Sequence, residues 1–508
     1  MENEAKQTQP GAPRPAGQGK TGGFLPGPDG PAAPKSPLSC PAAPKGPLPG
    51  PDSPPGGPAG GFLGQVLRIA LPVGLQSMLQ SSFTMVDQLM VGQLGSCAVA
   101  AVEAAGRPIF ICTTIMGAVA AVAGIMAAQY LGMRRQQLAD RSFSANLAAA
   151  GAITGLFTLL CLCAPGRIVG LFTPDAAIRR AGRGYLVRAA WTMPAMGLGS
   201  LLAVMLRCMG RASWALWAGL FTAAANTGLN LLLIFGRLGF PALGVAGAAD
   251  ASVLAQWAGL WLLAALFGRL RAGGPGRFAF CPNLGPGGGR QYLRMLLPAV
   301  LCELLWSLGQ SLNTFIYGRL APGSLAAMAI TGPVQGLFMG ALGGVSQAAG
   351  ILIGRRLGAG QAGLAYREAK RLGWYGLAGS LGLSALLWGL RGGYVRLYRV
   401  EPGVQDTAAA LLAVFALLAP AKVANMVLGG GVLRSGGNTR LVLAVDFIGT
   451  WLVGAPLGLA AAFWLRLPIV WVYCILSQEE LVRLAVTLWL FKRKSWMARL
   501  PNDVPSPG

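Results

Sequence analysis

A single carboxylate, Asp87, stands in the apolar run "IALPVGLQSMLQSSFTMVDQLMVGQLG" (residues 69–95), fifteen residues past Pro72, and nothing within that run neutralises it. An ionised group near the centre of a bilayer costs about 2.5–3.5 kcal/mol on insertion scales and usually faces a cavity. A carboxylate so placed can alternate between protonated and ionised forms, or hold a cation, and that chemistry suits ion-coupled transport. The plainer alternative is a solvated acid at a helix end.

Three further residues could complete a site around it. Asn226 and Asn230, in "AANTGLNLLLIFG", are four apart and therefore share one helix face. They offer amide oxygens for a cation, or simply hydrogen bonds between helices. Ser252, in "GAADASVLAQ", adds a hydroxyl, while Asp250 beside it reads as a helix-end residue. Farther along, Glu303 in "LPAVLCELLWSLGQSLN" is followed by Gln310 and Asn313. This group reads as a second cation or proton site, as a contact for a cationic substrate, or as a carboxylate bonded to a neighbouring helix. Glu103 and Arg107, one turn apart, are expected to pair with each other, and Asp446 and Lys422, likewise embedded, are candidate partners across helices 10 and 11. Histidine is absent and the cysteines lack paired C-x-x-C spacing, so zinc and His-based nucleophilic chemistry are not expected. The motif G-x-x-x-x-G-K-[ST] does not occur, which argues against ATP-driven pumping by this chain.

The elements that must position these groups are transmembrane helices. Of the 508 residues 54% are hydrophobic and 11% charged, far below the quarter typical of soluble domains. From Val66 onward, apolar runs long enough to cross about 30 Å of hydrocarbon recur, and twelve helices are expected between residues 66 and 491. The net charge of +24 lies mostly in short loops, a distribution that needs no nucleic-acid partner. Roughly 21 Lys and Arg fall on the side of both termini against about 11 on the other, which places both termini inside. Residues 1–60, rich in Pro and Gly, read as a disordered cytoplasmic tail without a signal sequence.

The chain is duplicated. A shift of 226 residues lays Pro72 on Pro298, Gly92 on Gly318, Gly106 on Gly332 and Gly117 on Gly343; over 71–141, 20 of 71 positions are identical without a gap. Chance at this composition would give roughly one in ten. One residue out of register, "LR" at 206 falls on "LR" at 433. The fold expected is all-α, with twelve spans in two six-helix lobes: an N-lobe at 61–268, a basic inter-lobe loop at 269–290, a C-lobe at 291–495 and a tail at 496–508. Such repeats belong to transporters, with substrate held between the halves. In the repeat Asn313 replaces Asp87, so the two halves are not chemically equivalent.

"LPVGLQSMLQSSFTMVDQLMVGQLG", "LRSGGNTR", "IFGRLGFPALGVAGAADASVLAQ" and the paired segments "GAVAAVAGIMAAQYLG" and "GGVSQAAGILIGRRLGAG" resemble the multidrug and toxic compound extrusion (MATE) family, bacterial type, over about residues 62–495. The resemblance implies exchange of cytoplasmic drug for external Na⁺ or H⁺, with Asp87, Asn226, Asn230 and Ser252 at the N-lobe cation site. No cofactor is expected besides the coupling ion, and no metal besides Na⁺ at Asp87. Asn230 stands where the family typically has Asp, and Glu303 resembles a helix 7 glutamate of many bacterial members. The expectation is a multidrug efflux antiporter of the cell membrane, a monomer acting on drug-like amphipathic or cationic compounds, with helix 1 rearranging near its hinge, Pro72. A lipid-linked sugar flippase of the same superfamily is the runner-up, favoured if arginines concentrate between the lobes, and a non-transporting membrane scaffold is the third reading.

Overall fold

The computed structural model describes residues 61–94, 96–172, 175–239, 241–272, 280–282, 288–320, 324–396, 401–498 and 500. The tail at 1–60, most of the inter-lobe loop (273–279 and 283–287) and residues 499 and 501–508 lie outside the described residues.

The described residues form twelve long helical segments, with a short helix at Pro165–Gly170 besides and no strand among them. The first half holds α1 (Phe62–Gly92), α2 (Ser96–Gly132), α3 (Gln136–Cys163), α4 (Ala176–Ala189 continued by Thr192–Cys208), α5 (Ala212–Leu233) and α6 (Val245–Ala272). The second holds α7 (Gly288–Gly318), α8 (Ser324–Gly358), α9 (Ala362–Val395), α10 (Pro402–Leu433), α11 (Thr439–Trp464) and α12 (Ile469–Ser477 continued by Glu479–Arg493). Nine of these are long and apolar enough to span by themselves, and α4, bent by 44° at its break, makes a tenth. The charged α9 and the interrupted α12 complete the set. This is the twelve-helix, two-lobe arrangement that the duplicated sequence implies.

Lipid tails are as apolar as leucine, so helices in a bilayer associate through close packing rather than hydrophobic burial. The lobes meet in that way. At Gly74 and Gly344 the backbones of α1 and α8 touch, because a methyl group on either glycine would run into a carbonyl of the other helix, that of Ala341 or Ala70. Gly132 at the end of α2 lies equally close to Arg355, and Gly358 at the end of α8 to Gln129. Gly132 and Gly358 are 226 apart, as are Gln129 and Arg355, so the contact is made twice, once in each direction.

Hydrogen bonds repeat the pattern. Gln129, fully buried, donates from Nε2 to the carbonyl of Ser435 at 2.7 Å, and Arg355 donates from Nη2 to the carbonyl of Cys208. Ser435 and Cys208 are themselves repeat mates, 227 apart. The tail strengthens one side of this clasp: the Leu500 amide donates to Gln129 Oε1 at 2.9 Å, and the neighbouring Trp496 is fully buried. By contrast Gly92 and Gly106, and their mates Gly318 and Gly332, fall elsewhere along these helices; at Gly92, Gly106 and Gly332 a methyl group would meet open space. The close contacts between the lobes therefore run from the middle of α8, at Gly344, to the end where α2 and α8 finish.

Three stretches of wide, π-helical turns occur in α10 (Met426–Leu433) and α11 (Ile448–Gly454, Ala460–Trp464). Such turns are rare and frequently mark functional sites. Here they bring Gly449 and Gly454 against the side chains of Arg483 and Glu479 on α12.

Candidate functional site

In the N-lobe, α1, α5 and α6 converge on Asp87. Asn230 Nδ2 donates to Asp87 Oδ1 and, at 3.3 Å, to Asn226 Oδ1. Asn226 Nδ2 in turn donates to Ser252 Oγ at 3.1 Å. The four residues picked from the sequence thus form one connected chain of polar groups. The helical period explains the α5 pair, since positions four apart stand one above the other. Asn230 is fully buried, and its Oδ1 has no hydrogen-bond partner among the described residues. A buried acceptor without a donor is costly and calls for explanation. Next to a carboxylate, an amide oxygen and a hydroxyl, it suits a hard cation, which binds through oxygen.

About one turn beyond Asp87, Asn230 and Ser252 the helices become apolar. Met90 and Val91 follow Asp87 on α1, Ile234 follows Asn230, and Ala248 precedes Ser252 on α6; these four buried residues pack into one cluster. They close the site on that side and keep the local dielectric low, where charge interactions are strong. Pro72 lies inside α1, two residues before the close contact at Gly74, and the helix continues unbroken to Gly92.

The second group is divided by the structure. Glu303 faces a cavity of about 370 Å³ between the lobes, whose lining includes Arg207, Ser200, Gln347 and Arg434. It pairs with Arg434 Nη1 at 3.5 Å. Gln310 and Asn313 line a different cavity, of about 340 Å³, together with Tyr317, Lys422, Glu479 and Glu480.

The expected pairing of Asp446 with Lys422 is wrong. Asp446 accepts from Arg483 at 2.6 Å and from the Cys302 thiol at 2.7 Å, while Lys422 lies 4.0 Å from Glu480. Arg483 also reaches Glu480 at 3.5 Å. The physical reason is α12, which inserts an arginine between the two partners proposed. Sequence reasoning overlooked Glu479, Glu480 and Arg483; the signal was present as three charges within five residues of an apolar segment, with Glu480 and Arg483 at i,i+3. Glu103 and Arg107 do pair, at 3.6 Å on an exposed face, and Asp250, near the start of α6, pairs with Arg188 at 2.5 Å.

Comparison with known proteins identifies the family and the fold. The MatE family profile matches residues 72–232 and 298–460, one stretch in each lobe, beginning at Pro72 and Pro298. The chain is 28% identical over 450 residues to a probable multidrug resistance protein NorM of Rhodopseudomonas palustris, covering 84% of this chain and 91% of that protein. It is 22% identical over 446 residues to the uncharacterized transporter YisQ of Bacillus subtilis, covering 85% and 95%. Among solved structures, the Vibrio cholerae MATE transporter VcmN in the bent form superposes with a TM-score of 0.76 at 16% identity, covering 86% of this chain and 98% of that one. A MOP superfamily transporter from Pyrococcus furiosus, described by the reverse polarity of its binding pocket, gives 0.75 at 17% identity, covering 86% and 97%. The structural likenesses show the fold, and the profile match in both halves shows the family: this chain is a multi-pass membrane protein and a transporter of the MatE family.

Proposed function

We propose that the protein is a secondary active antiporter that exports amphipathic or cationic compounds in exchange for H⁺ or Na⁺ bound at Asp87. The observation that carries this reading is the connected set Asp87, Asn230, Asn226 and Ser252, with the buried Asn230 Oδ1 left without a donor. The multidrug resistance names of the NorM relatives supply the substrate class. Cation and drug act on one two-state equilibrium in opposite directions, so the arrival of either favours release of the other. A bound cation would draw the Asp87 carboxylate and the Asn230 amide into a new arrangement, and α1 would adjust near Pro72.

The basic loops support an orientation with both termini cytoplasmic, in the plasma membrane, and the close contacts of the clasp then seal the cytoplasmic end. Gln310, Asn313 and Glu303 are assigned to second cation or substrate contacts in the C-lobe and between the lobes. We take the transporting unit to be a monomer with the bilayer and drug-like molecules as its partners.

The arginines at 207 and 434 do face the space between the lobes, the feature that would favour a lipid-linked sugar flippase. Cavities of about 370 and 340 Å³ are at the small end of the range for drug-sized ligands, which supports the multidrug reading instead. The test is efflux of ethidium from proteoliposomes under an imposed Na⁺ or pH gradient. Asp87→Asn should abolish gradient-driven transport while the protein still folds; unchanged transport would sink the assignment.

A further inference from the structure

Two arginines related by the repeat, Arg207 and Arg434, line the cavity between the lobes, but they are not equivalent. Arg434 has a counter-ion in Glu303, 3.5 Å away. The repeat position of Glu303 in the N-lobe is 226 residues earlier, and it is Ser77. Ser77 spends its hydroxyl on the carbonyl of Val73 within its own helix. Arg207 accordingly makes no ion pair among the described residues, and its Nε is buried without an acceptor.

Arg207 also borders a second cavity, of about 340 Å³, lined by Gln76, Ser77, Gln80 and Gln347. Gln347 is common to both cavities, so the two spaces adjoin at Arg207 and Gln347. The charged groups that face this joint space are Arg207, Arg434 and Glu303, two cations against one anion. A guanidinium taken out of water without a counter-ion is costly. Its planar fork matches carboxylate or phosphate oxygens in a two-point contact.

The geometry points to an oxyanion site: Arg207, assisted by Arg434, binds the carboxylate or phosphate of an amphiphilic ligand in the inter-lobe cavity, and Glu303 faces any cationic group the same ligand carries. The ligand class is therefore zwitterionic or anionic amphiphiles, in addition to cations. Each arginine immediately precedes a clasp residue, Arg207 before Cys208 and Arg434 before Ser435, so the bound oxyanion lies directly on the closed end of the molecule. The carrying of such a ligand across the membrane rests on the transport reading above; its binding does not.

The test uses a matched pair of probes, rhodamine B with its free carboxylate and rhodamine B methyl ester. Binding to the full-length protein in phosphatidylcholine nanodiscs is followed by fluorescence polarisation. Wild-type protein should bind the acid about tenfold more tightly than the ester, the ratio given by about 1.4 kcal/mol. Arg207→Gln should remove that preference, so that acid and ester bind alike. Ser77→Glu, which supplies the counter-ion that the other lobe already has, should remove it as well and covers the case in which the first variant does not fold. Equal binding of acid and ester by the wild type, or a preference that survives in both variants, overturns the proposal. Repeating the measurement in phosphatidylglycerol discs identifies the source of the oxyanion. Loss of the acid preference there assigns the site to a lipid headgroup, and its persistence assigns it to the soluble carboxylate. No gradient is imposed in discs, so failure here is distinct from failure of Asp87-coupled efflux.

Discussion

Gln129→Leu should loosen the clasp by an amount that can be worked from its contacts. The side chain is fully buried, donates to the Ser435 carbonyl at 2.7 Å, and accepts from the Leu500 amide at 2.9 Å. Leucine has similar volume, so the substitution removes hydrogen bonds without opening a large cavity. Each such bond contributes about 1 kcal/mol net, and stranding its buried partner costs about 1–3 kcal/mol where water does not reach it. The closed end should lose about 2 kcal/mol overall, roughly thirtyfold in the closed-to-open ratio. Hydrogen exchange read by mass spectrometry measures this directly, because opening of the end exposes the tail amides. Peptides covering residues 494–500 and the ends of α2 and α8 should exchange roughly thirtyfold faster, in proportion to the lost free energy, while peptides from α5 and α6 keep their wild-type rates. Wild-type exchange in the tail of a well-folded variant would refute the assignment of Gln129 as a tie between the lobes.

Asn230→Asp places a second carboxylate against Asp87, and two such acids need a shared cation or proton to coexist. The variant should therefore show stronger dependence of efflux on the coupling ion, seen as a lower half-saturating Na⁺ concentration or a steeper pH profile in proteoliposomes. Glu480→Gln removes the acid that faces both Lys422 at 4.0 Å and Arg483 at 3.5 Å and leaves those cations short of charge. Breaking one partner of a buried pair costs about 3–5 kcal/mol, here reduced because Arg483 keeps Asp446. A lower thermal unfolding midpoint in detergent is expected. Gly344→Ala puts a methyl group into the Ala70 carbonyl on α1. Spin labels on the basic-end loops should report a wider separation of α1 and α8, and an unchanged distance would contradict the packing described.

The N-lobe site could be read from the sequence because its signals are local. Asp87 is conspicuous in an apolar run, and the spacing of Asn226 and Asn230 fixes a common face without knowledge of any neighbour. The duplication likewise needs only the sequence, and it carries the two-lobe fold with it. The C-lobe charges were not legible in the same way. Which acid meets Lys422 depends on the rotation of α10, α11 and α12 about their axes, and the π-helical turns in α10 and α11 alter that rotation where the charges lie. Hence the sequence suggests Lys422 as the partner of Asp446, whereas Arg483 holds it. Gln129 and Arg207 were hidden for another reason: each is an ordinary residue near a helix end, and each gains meaning only when a second helix from the other lobe is laid beside it.

The clasp also bears on how the chain arose. A contact in which Gln129 holds Ser435 while its repeat mate Arg355 holds Cys208 is the form an isologous interface takes, where residue i of one subunit meets j of the other and j meets i. Two separate six-helix polypeptides related by a two-fold axis would make that contact twice with identical residues. The present pair, one glutamine and one arginine, is what such a dimer becomes once fusion frees the halves to differ. Lobes produced as two chains should therefore still find one another through the clasp and the glycine contacts of α1 and α8.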